Sequence, residues 1–239
     1  MDRCVVIYAS TQFSADRVGA VVISASSPPS TMAFFLGLVL LMTVAAAQTC
    51  PPDGFDTVRP FNTTRYLGQW YSIEQQEVPY LPITKNYCTN THYELLDEDL
   101  VAVFNEANVG SVDGPQEGGE LRAIIPDLSD PSKLLVGPIE VPPAFYGPYW
   151  VVAVGGAADD EPYQWAVISG GPPTIPSNGA CRTRSSTVNK SGLWLFHRNP
   201  LPSTDDVQVL RETAKSLGFD LSVLNPVEHR GCDHAIFNY

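Results

Sequence analysis

Residues 66–73 read Tyr66-Leu67-Gly68-Gln69-Trp70-Tyr71-Ser72-Ile73. Gly68 supplies a bend. The residues after it alternate, with Tyr71 and Ile73 on one face and Ser72 and Glu74 on the other. This is a strand entered from a tight turn. Further short runs of the same character follow at 87–95, 100–105, 120–125, 133–136, 149–154, 163–169 and 193–196, parted by Gly, Pro and Asp. With the opening strand at 69–77 they make eight. The spacing predicts an all-β chain, an eight-stranded antiparallel up-and-down barrel with Trp70 at its floor. Three loops stand out: a Gly/Pro/Asp-rich stretch at 110–119, a Pro-rich one at 137–148, and a long polar insert at 170–191.

One helix is predicted near the end. Ser203 is its N-cap, with Asp206 three residues on and Asp205 also in the first turn. Val207, Leu210, Ala214 and Leu217 recur at helical spacing, and Gly218 is placed to end the helix. A single apolar stripe means that this helix lies against the outside of the barrel. Leu221–Leu224 reads as a short extra strand.

The formal net charge of −12, with no basic stripe, disfavours nucleic acid and anionic membrane surfaces as partners. Residues 32–47 hold an apolar run ending in Ala45-Ala46-Ala47, the pattern of a signal peptide cleaved before Gln48. The run is shorter than the roughly 20 residues of a membrane-spanning helix, so no stable span is expected after cleavage. Residues 1–47 are therefore read as a presequence and 48–239 as one domain. For residues 1–31 the alternatives are that translation starts at Met32, or that they form the first half of a two-part leader to an organelle lumen. An uncleaved anchor is a third option. Cys4 falls in the presequence. Cys50, Cys88, Cys181 and Cys232 remain, which allows two disulfides in three possible pairings. No zinc-ligand spacing occurs, and His92, His197, His229 and His234 form no metal or haem constellation, so neither a metal nor another cofactor is expected. Asn62-Thr63-Thr64 and Asn189-Lys190-Ser191 are glycosylation sequons.

Gly68-Gln69-Trp70, the eight strands, the late helix and the Leu193-Trp194-Leu195-Phe196-His197-Arg198-Asn199-Pro200 segment together resemble the lipocalin family, closest to its apolipoprotein D-like branch. The likeness spans about 50–235. The Thr-Asp-Tyr expected after the 149–154 strand is replaced by Gly155-Gly156-Ala157, which weakens any inference of a partner site on that loop. The resemblance implies the pairings Cys50–Cys181 and Cys88–Cys232. It also implies that Arg198 lies over the Trp70 ring, a structural pair at the closed end, and that Trp194 faces a ligand.

If Trp70 points inward, strand parity places Ser72 and Glu74 inside. The other inward candidates are Tyr93, Leu95, Leu121, Ala123, Ile125, Val151, Ala153, Trp165, Val167 and Trp194. The ligand-contact set is therefore Trp194, Trp165, Tyr93, Leu95, Leu121, Ala123, Val151 and Glu74, with no catalytic residue. A carboxylate at 74 needs a partner if buried, such as Arg122 or a polar ligand group, and stays at the rim otherwise. The function implied is extracellular binding and transport of a small hydrophobic ligand: a lipid, fatty acid, steroid, retinoid, bilin or carotenoid. Two alternatives stand beside it. One is a lipocalin-fold enzyme, an isomerase or a xanthophyll-modifying activity. The other is a protein-interaction module that forms pigment-carrying homo-oligomers or meets a receptor.

Overall fold

The computed structural model of the chain describes residues 49–156 and 158–233. Residues 1–48, with Cys4 and the expected cleavage site, lie outside the described residues, as do Ala157 and 234–239, which include His234.

The chain opens with an irregular arm and a one-turn helix, α1 (Thr63–Tyr66), whose N-cap Asn62 accepts a hydrogen bond from the Arg65 backbone N–H. Seven strands follow: β1 (Gly68–Gln76), β2 (Tyr87–Asp97), β3 (Leu100–Asn108), β4 (Gln116–Ile124), β5 (Lys133–Pro138), β6 (Gly147–Gly155) and β7 (Trp165–Ser169). A small hairpin, β8 (Ile175–Ser177) and β9 (Ala180–Arg182), precedes β10 (Leu193–His197). Each of β1–β7 pairs antiparallel with its neighbour in sequence, β10 joins β7, and β10 also pairs with β1. The sheet thus closes into an eight-stranded barrel that leaves no open edge among these strands. β11 (Leu224–Pro226) adds to β1 where β2 has peeled away.

The predicted polar insert and extra strand differ from the observed structure in detail. Within 170–191 the Asn178-Gly179 pair, with φ of 50° and 72°, makes the two-residue turn of the β8–β9 hairpin. β4 begins four residues earlier than predicted, because its two glycines, Gly118 and Gly119, pair with Glu106 and Asn105 of β3. A Cβ at Gly118 would meet the Asn105 carbonyl oxygen at 2.1 Å, so only glycine fits there. The extra strand starts at Leu224 because Asp220 caps a 3-10 turn over Leu221–Val223.

The helix α2 (Thr204–Ser216) carries a full capping box between Ser203 and Asp206. Leu210 and Ala214 are fully buried against Val152, Val167, Leu193 and Leu195 on the outer face of the barrel, with Phe219 closing the cluster. A second, larger cluster fills the barrel around Trp70, Tyr93, Val103, Val151, Ile168 and Phe196. Each buried side chain of this size contributes about 1.5–3 kcal/mol. Cys50 is bonded to Cys181 and Cys88 to Cys232, tying the arm and the C-terminal segment to the barrel across 131 and 144 residues.

Replacing Leu210 by Ala removes the central contact between helix and barrel. Urea denaturation is expected to show a loss of about 2–4 kcal/mol, whereas Val209→Ala, 44% exposed on the same helix, should change stability by about 0.5 kcal/mol or less.

Candidate functional site

Gly68 enters β1 with φ +88°, a conformation that favours glycine, and so lets the chain turn from α1 into the strand. Two residues later Trp70 is completely buried, and its indole Nε1–H donates to the Tyr66 carbonyl at 2.7 Å. Arg198, just past β10, stacks over that indole with its guanidinium carbon 3.8 Å from the ring centroid. Its Nε–H donates to the Tyr163 carbonyl at 3.0 Å and Nη1 to that of Gln69 at 2.5 Å. Nη2 serves the carbonyls of Arg65, Tyr66 and Leu67 at 3.2, 3.2 and 2.8 Å. One planar fork thus satisfies the carbonyls at the C-terminal end of α1, the first turn of β1 and the loop before β7. Burial lowers the guanidinium pKa to about 10, so it stays charged at neutral pH.

Above this floor, three tyrosine hydroxyls meet. The Tyr149 oxygen lies 2.6 Å from that of Tyr66 and 2.6 Å from that of Tyr93. Tyr66 also packs on Trp70, with ring centroids 5.1 Å apart. Burial pushes the pKa of all three phenols up, Tyr66 and Tyr149 well above the ordinary value. The same inner cluster includes Val103, Ala123, Val151, Ile168 and Trp194, with Val136 packed against it. Trp194 lies over Gly192, where φ is +107° and a Cβ would sit 2.0 Å from the indole ring. A polar group also faces inward: Ser72 Oγ donates to Gln75 Oε1 at 2.9 Å, and Gln75 Nε2 donates to Asn86 Oδ1 at 2.8 Å. Leu121, Val136 and Tyr149 pack on the inner cluster but are only half-buried.

Of the predicted contact set, Trp194, Tyr93, Leu121, Ala123 and Val151 lie in or against the inner cluster, and Ile125 joins them. Glu74 does not. The register of β1 against β10 shifts between Ser72 and Glu74, which leaves Ser72 opposite Phe196 but turns Glu74 outward beside Leu195. There it forms an ion pair with Arg211 of α2. Arg122, the other partner considered, pairs with Glu120. Trp165 is also outside. In β7, Ala166 and Ile168 belong to the inner cluster, while Trp165 and Val167 pack in the outer one with the helix. The indole of Trp165 occupies space left by Gly155, where a Cβ would come within 2.5 Å of it. Tyr163, before the strand, takes the inward place instead. A shift between Val151 and Ala153 likewise puts Ala153 outside. Leu95 is 42% exposed at the end of β2 and lies in neither cluster. The sequence reading missed Tyr66, Val103, Tyr149 and Phe196. Tyr149 was within reach of it, two residues before Val151 on the same face of β6.

Among the described residues, no group of three or more His, Cys, Asp or Glu could hold a metal ion. No described helix is long and apolar enough to cross a membrane. Beside the barrel rim a surface concavity of about 520 Å³ opens between loop 77–83, Arg182 and β11.

A family model described as a lipocalin-like domain matches residues 61–174. Apolipoprotein D of Oryctolagus cuniculus is 24% identical over 209 residues, covering 85% of this chain and 97% of the relative. Temperature-induced lipocalin-1 of Arabidopsis thaliana is 28% identical over 175 residues, covering 71% and 80%. Outer membrane lipoprotein Blc of Escherichia coli is 25% identical over 193 residues, covering 80% and 92%. The solved structure of apocrustacyanin C2 superposes with a TM-score of 0.50 at 14% identity, over 71% of this chain and 81% of that one, a likeness of fold alone.

The raised phenol pKa values of Tyr66, Tyr93 and Tyr149, among the raised tyrosines, make stability depend on alkaline pH. An unfolded tyrosine ionises near its ordinary value of 10.0, below the folded values of Tyr66, Tyr93 and Tyr149. The unfolded chain therefore loses these protons first, and their contribution, complete below pH 10, is lost as pH rises through the folded values. In an alkaline titration, the phenolate absorbance of these three should appear together with loss of the β-sheet circular dichroism. A smooth titration of Tyr66, Tyr93 and Tyr149 in the still-folded protein would contradict the burial.

Proposed function

The chain belongs to the lipocalin family, in its apolipoprotein D-like branch, and from that premise we propose that it binds one small hydrophobic molecule inside the barrel and carries it in an extracellular or lumenal compartment. The observation that carries this reading is the half-buried inner wall of Leu121, Val136 and Tyr149. Protein interiors pack at close to crystal density. Inward side chains that keep exposed area border space that a ligand can fill, and covering it contributes about 25 cal/mol per Å² of apolar surface. Lipids, fatty acids, steroids, retinoids, bilins and carotenoids are the classes with such a surface.

Transport outside the cytosol is supported by the two disulfides, which favour an oxidising compartment, and by the signal-like residues 32–47. Of the two sequons, Asn62 is the better placed for glycosylation. It is exposed and caps α1 through its oxygen, whereas Asn189 already uses its amide nitrogen on the Phe145 carbonyl at 3.0 Å. Binding is favoured over catalysis because Cys50, Cys88, Cys181 and Cys232 are all in disulfides, which leaves none of them as a thiolate nucleophile. A protein-interaction role draws support from one place. Phe145 and Val188, 68% and 67% exposed, stand on loops joined by that Asn189 hydrogen bond.

Purification from the native source, followed by mass spectrometry of the co-purifying molecule, would identify the ligand. For the site itself, Leu121→Trp should occupy the lumen and weaken binding of a fluorescent hydrophobic probe by about tenfold or more, equivalent to about 1.4 kcal/mol. Glu74→Gln, on the outer face, should leave that affinity unchanged. Wild-type affinity in Leu121→Trp would remove the lumen as the site.

A further inference from the structure

The net charge of −12 is unevenly spread along the chain. Residues 162–204 carry Arg182, Arg184, Lys190 and Arg198 but neither Asp nor Glu. Arg198 is committed at the floor, and Arg182 lines the rim concavity together with Glu77. Arg184 and Lys190 remain. Both are exposed, and among the described residues neither enters an ion pair. The Arg184 backbone N–H donates to the Lys190 carbonyl at 3.1 Å and closes the base of a short loop. Val188, 67% exposed, stands on that loop. It leads into β10 at the end opposite Arg198. The loop before β6 reaches the same open end, since β6 meets the floor at its other end, where Gly155 and Arg198 both bond to Gln164. Asn189 joins the two loops through its bond to the Phe145 carbonyl. Phe145, 68% exposed, is held outward by a 3-10 turn over Pro143–Phe145, and the next residue, Tyr146, is buried over Gly137. Ile139 is exposed on the same loop, and Glu140 is its one acid.

We propose that these two loops are a docking surface for a phospholipid membrane that carries anionic headgroups. The proposal goes beyond the lumen reading and does not rest on it, since docking needs no ligand inside the barrel. Charge complementarity favours this occupant. A membrane meets one face of a protein, and the field of the remote acids is screened beyond about 10 Å at ordinary salt. On this face Arg184 and Lys190 outnumber Glu140. Their long side chains can reach headgroup phosphates while Phe145, Val188 and Ile139 enter the acyl boundary. Insertion stops at the side chains, because loop backbone cannot enter hydrocarbon. Three apolar side chains on two loops fall short of the roughly 800 Å² that each partner contributes to a stable protein interface, which disfavours a second protein here.

Vesicle flotation tests this, with vesicles of phosphatidylcholine alone and of an equal mixture of phosphatidylcholine and phosphatidylserine. At low salt the wild type should bind the mixed vesicles about fivefold to tenfold tighter than the neutral ones, and about 1 M salt should remove the difference. Phe145→Ser should weaken binding to both by about tenfold, whereas Val209→Ala on α2 should bind as the wild type does. Arg184→Gln combined with Lys190→Gln should abolish the preference for phosphatidylserine. No binding to either vesicle, equal binding to both, or unchanged binding in Phe145→Ser would overturn the proposal and leave the lumen reading standing. A wild-type dimer in sedimentation equilibrium that Phe145→Ser dissociates would assign the loops to a second copy and overturn it too. If Phe145→Ser does not fold, the double charge variant decides.

Discussion

The stacking of Arg198 on Trp70 is the constraint on which the rest of the barrel depends. Several chain segments meet at the closed end, and their carbonyls converge on one side chain. A single guanidinium serves five of those carbonyls and covers the indole. A lysine could not do this, because its ammonium lacks the planar fork. No carboxylate is needed, since the carbonyl dipoles together stabilise the charge. Because Arg198 follows β10 directly and Trp70 lies in β1, the contact also holds together the two strands that close the sheet. Closure defines the inside of the barrel and so decides which residues can meet a ligand.

Of the register shifts in the barrel, those in β1 and β6 decide which side of the wall several residues take. A barrel strand alternates inward and outward strictly until a register shift adds a residue, after which every later side chain changes face. The shift between Ser72 and Glu74 sends the carboxylate to Arg211 on the outer helix and brings Gln75 inward in its place. The shift between Val151 and Ala153 keeps Tyr149 and Val151 inside and turns Val152 and Ala153 toward α2. The helix packs on Val152, Val167, Leu193 and Leu195, and the outward Glu74 adds an ion pair with Arg211 at its side.

Much of the fold was legible in the residues. Short alternating runs, turn residues between them, the Ser203–Asp206 capping signal and the stripe through Leu210 and Ala214 are local features, and local features survive folding. The inner wall was legible where parity ran unbroken, as at Tyr93, Leu121, Ala123 and Val151. It was misread where it did not. Glu74 and Ala153 lie just past a shift. Trp165 was read as continuing from Tyr163, but the strand begins only at Trp165, and glycine at 155 leaves room for the indole on the outer side. No property of these residue types signals that change of face.

By itself, then, the sequence determined the class of architecture, the number of barrel strands, the outer helix and the GxW entry to the first strand. These follow from hydrophobic period and turn chemistry, which act over a few residues. The tertiary structure alone decided that Tyr66, Tyr93 and Tyr149, drawn from α1, β2 and β6, would share one hydrogen-bonded cluster. It also decided that Arg198 would reach carbonyls more than 100 residues away along the chain. Both depend on barrel closure and on the register of every strand between, a sum of pairings that no single stretch of residues encodes.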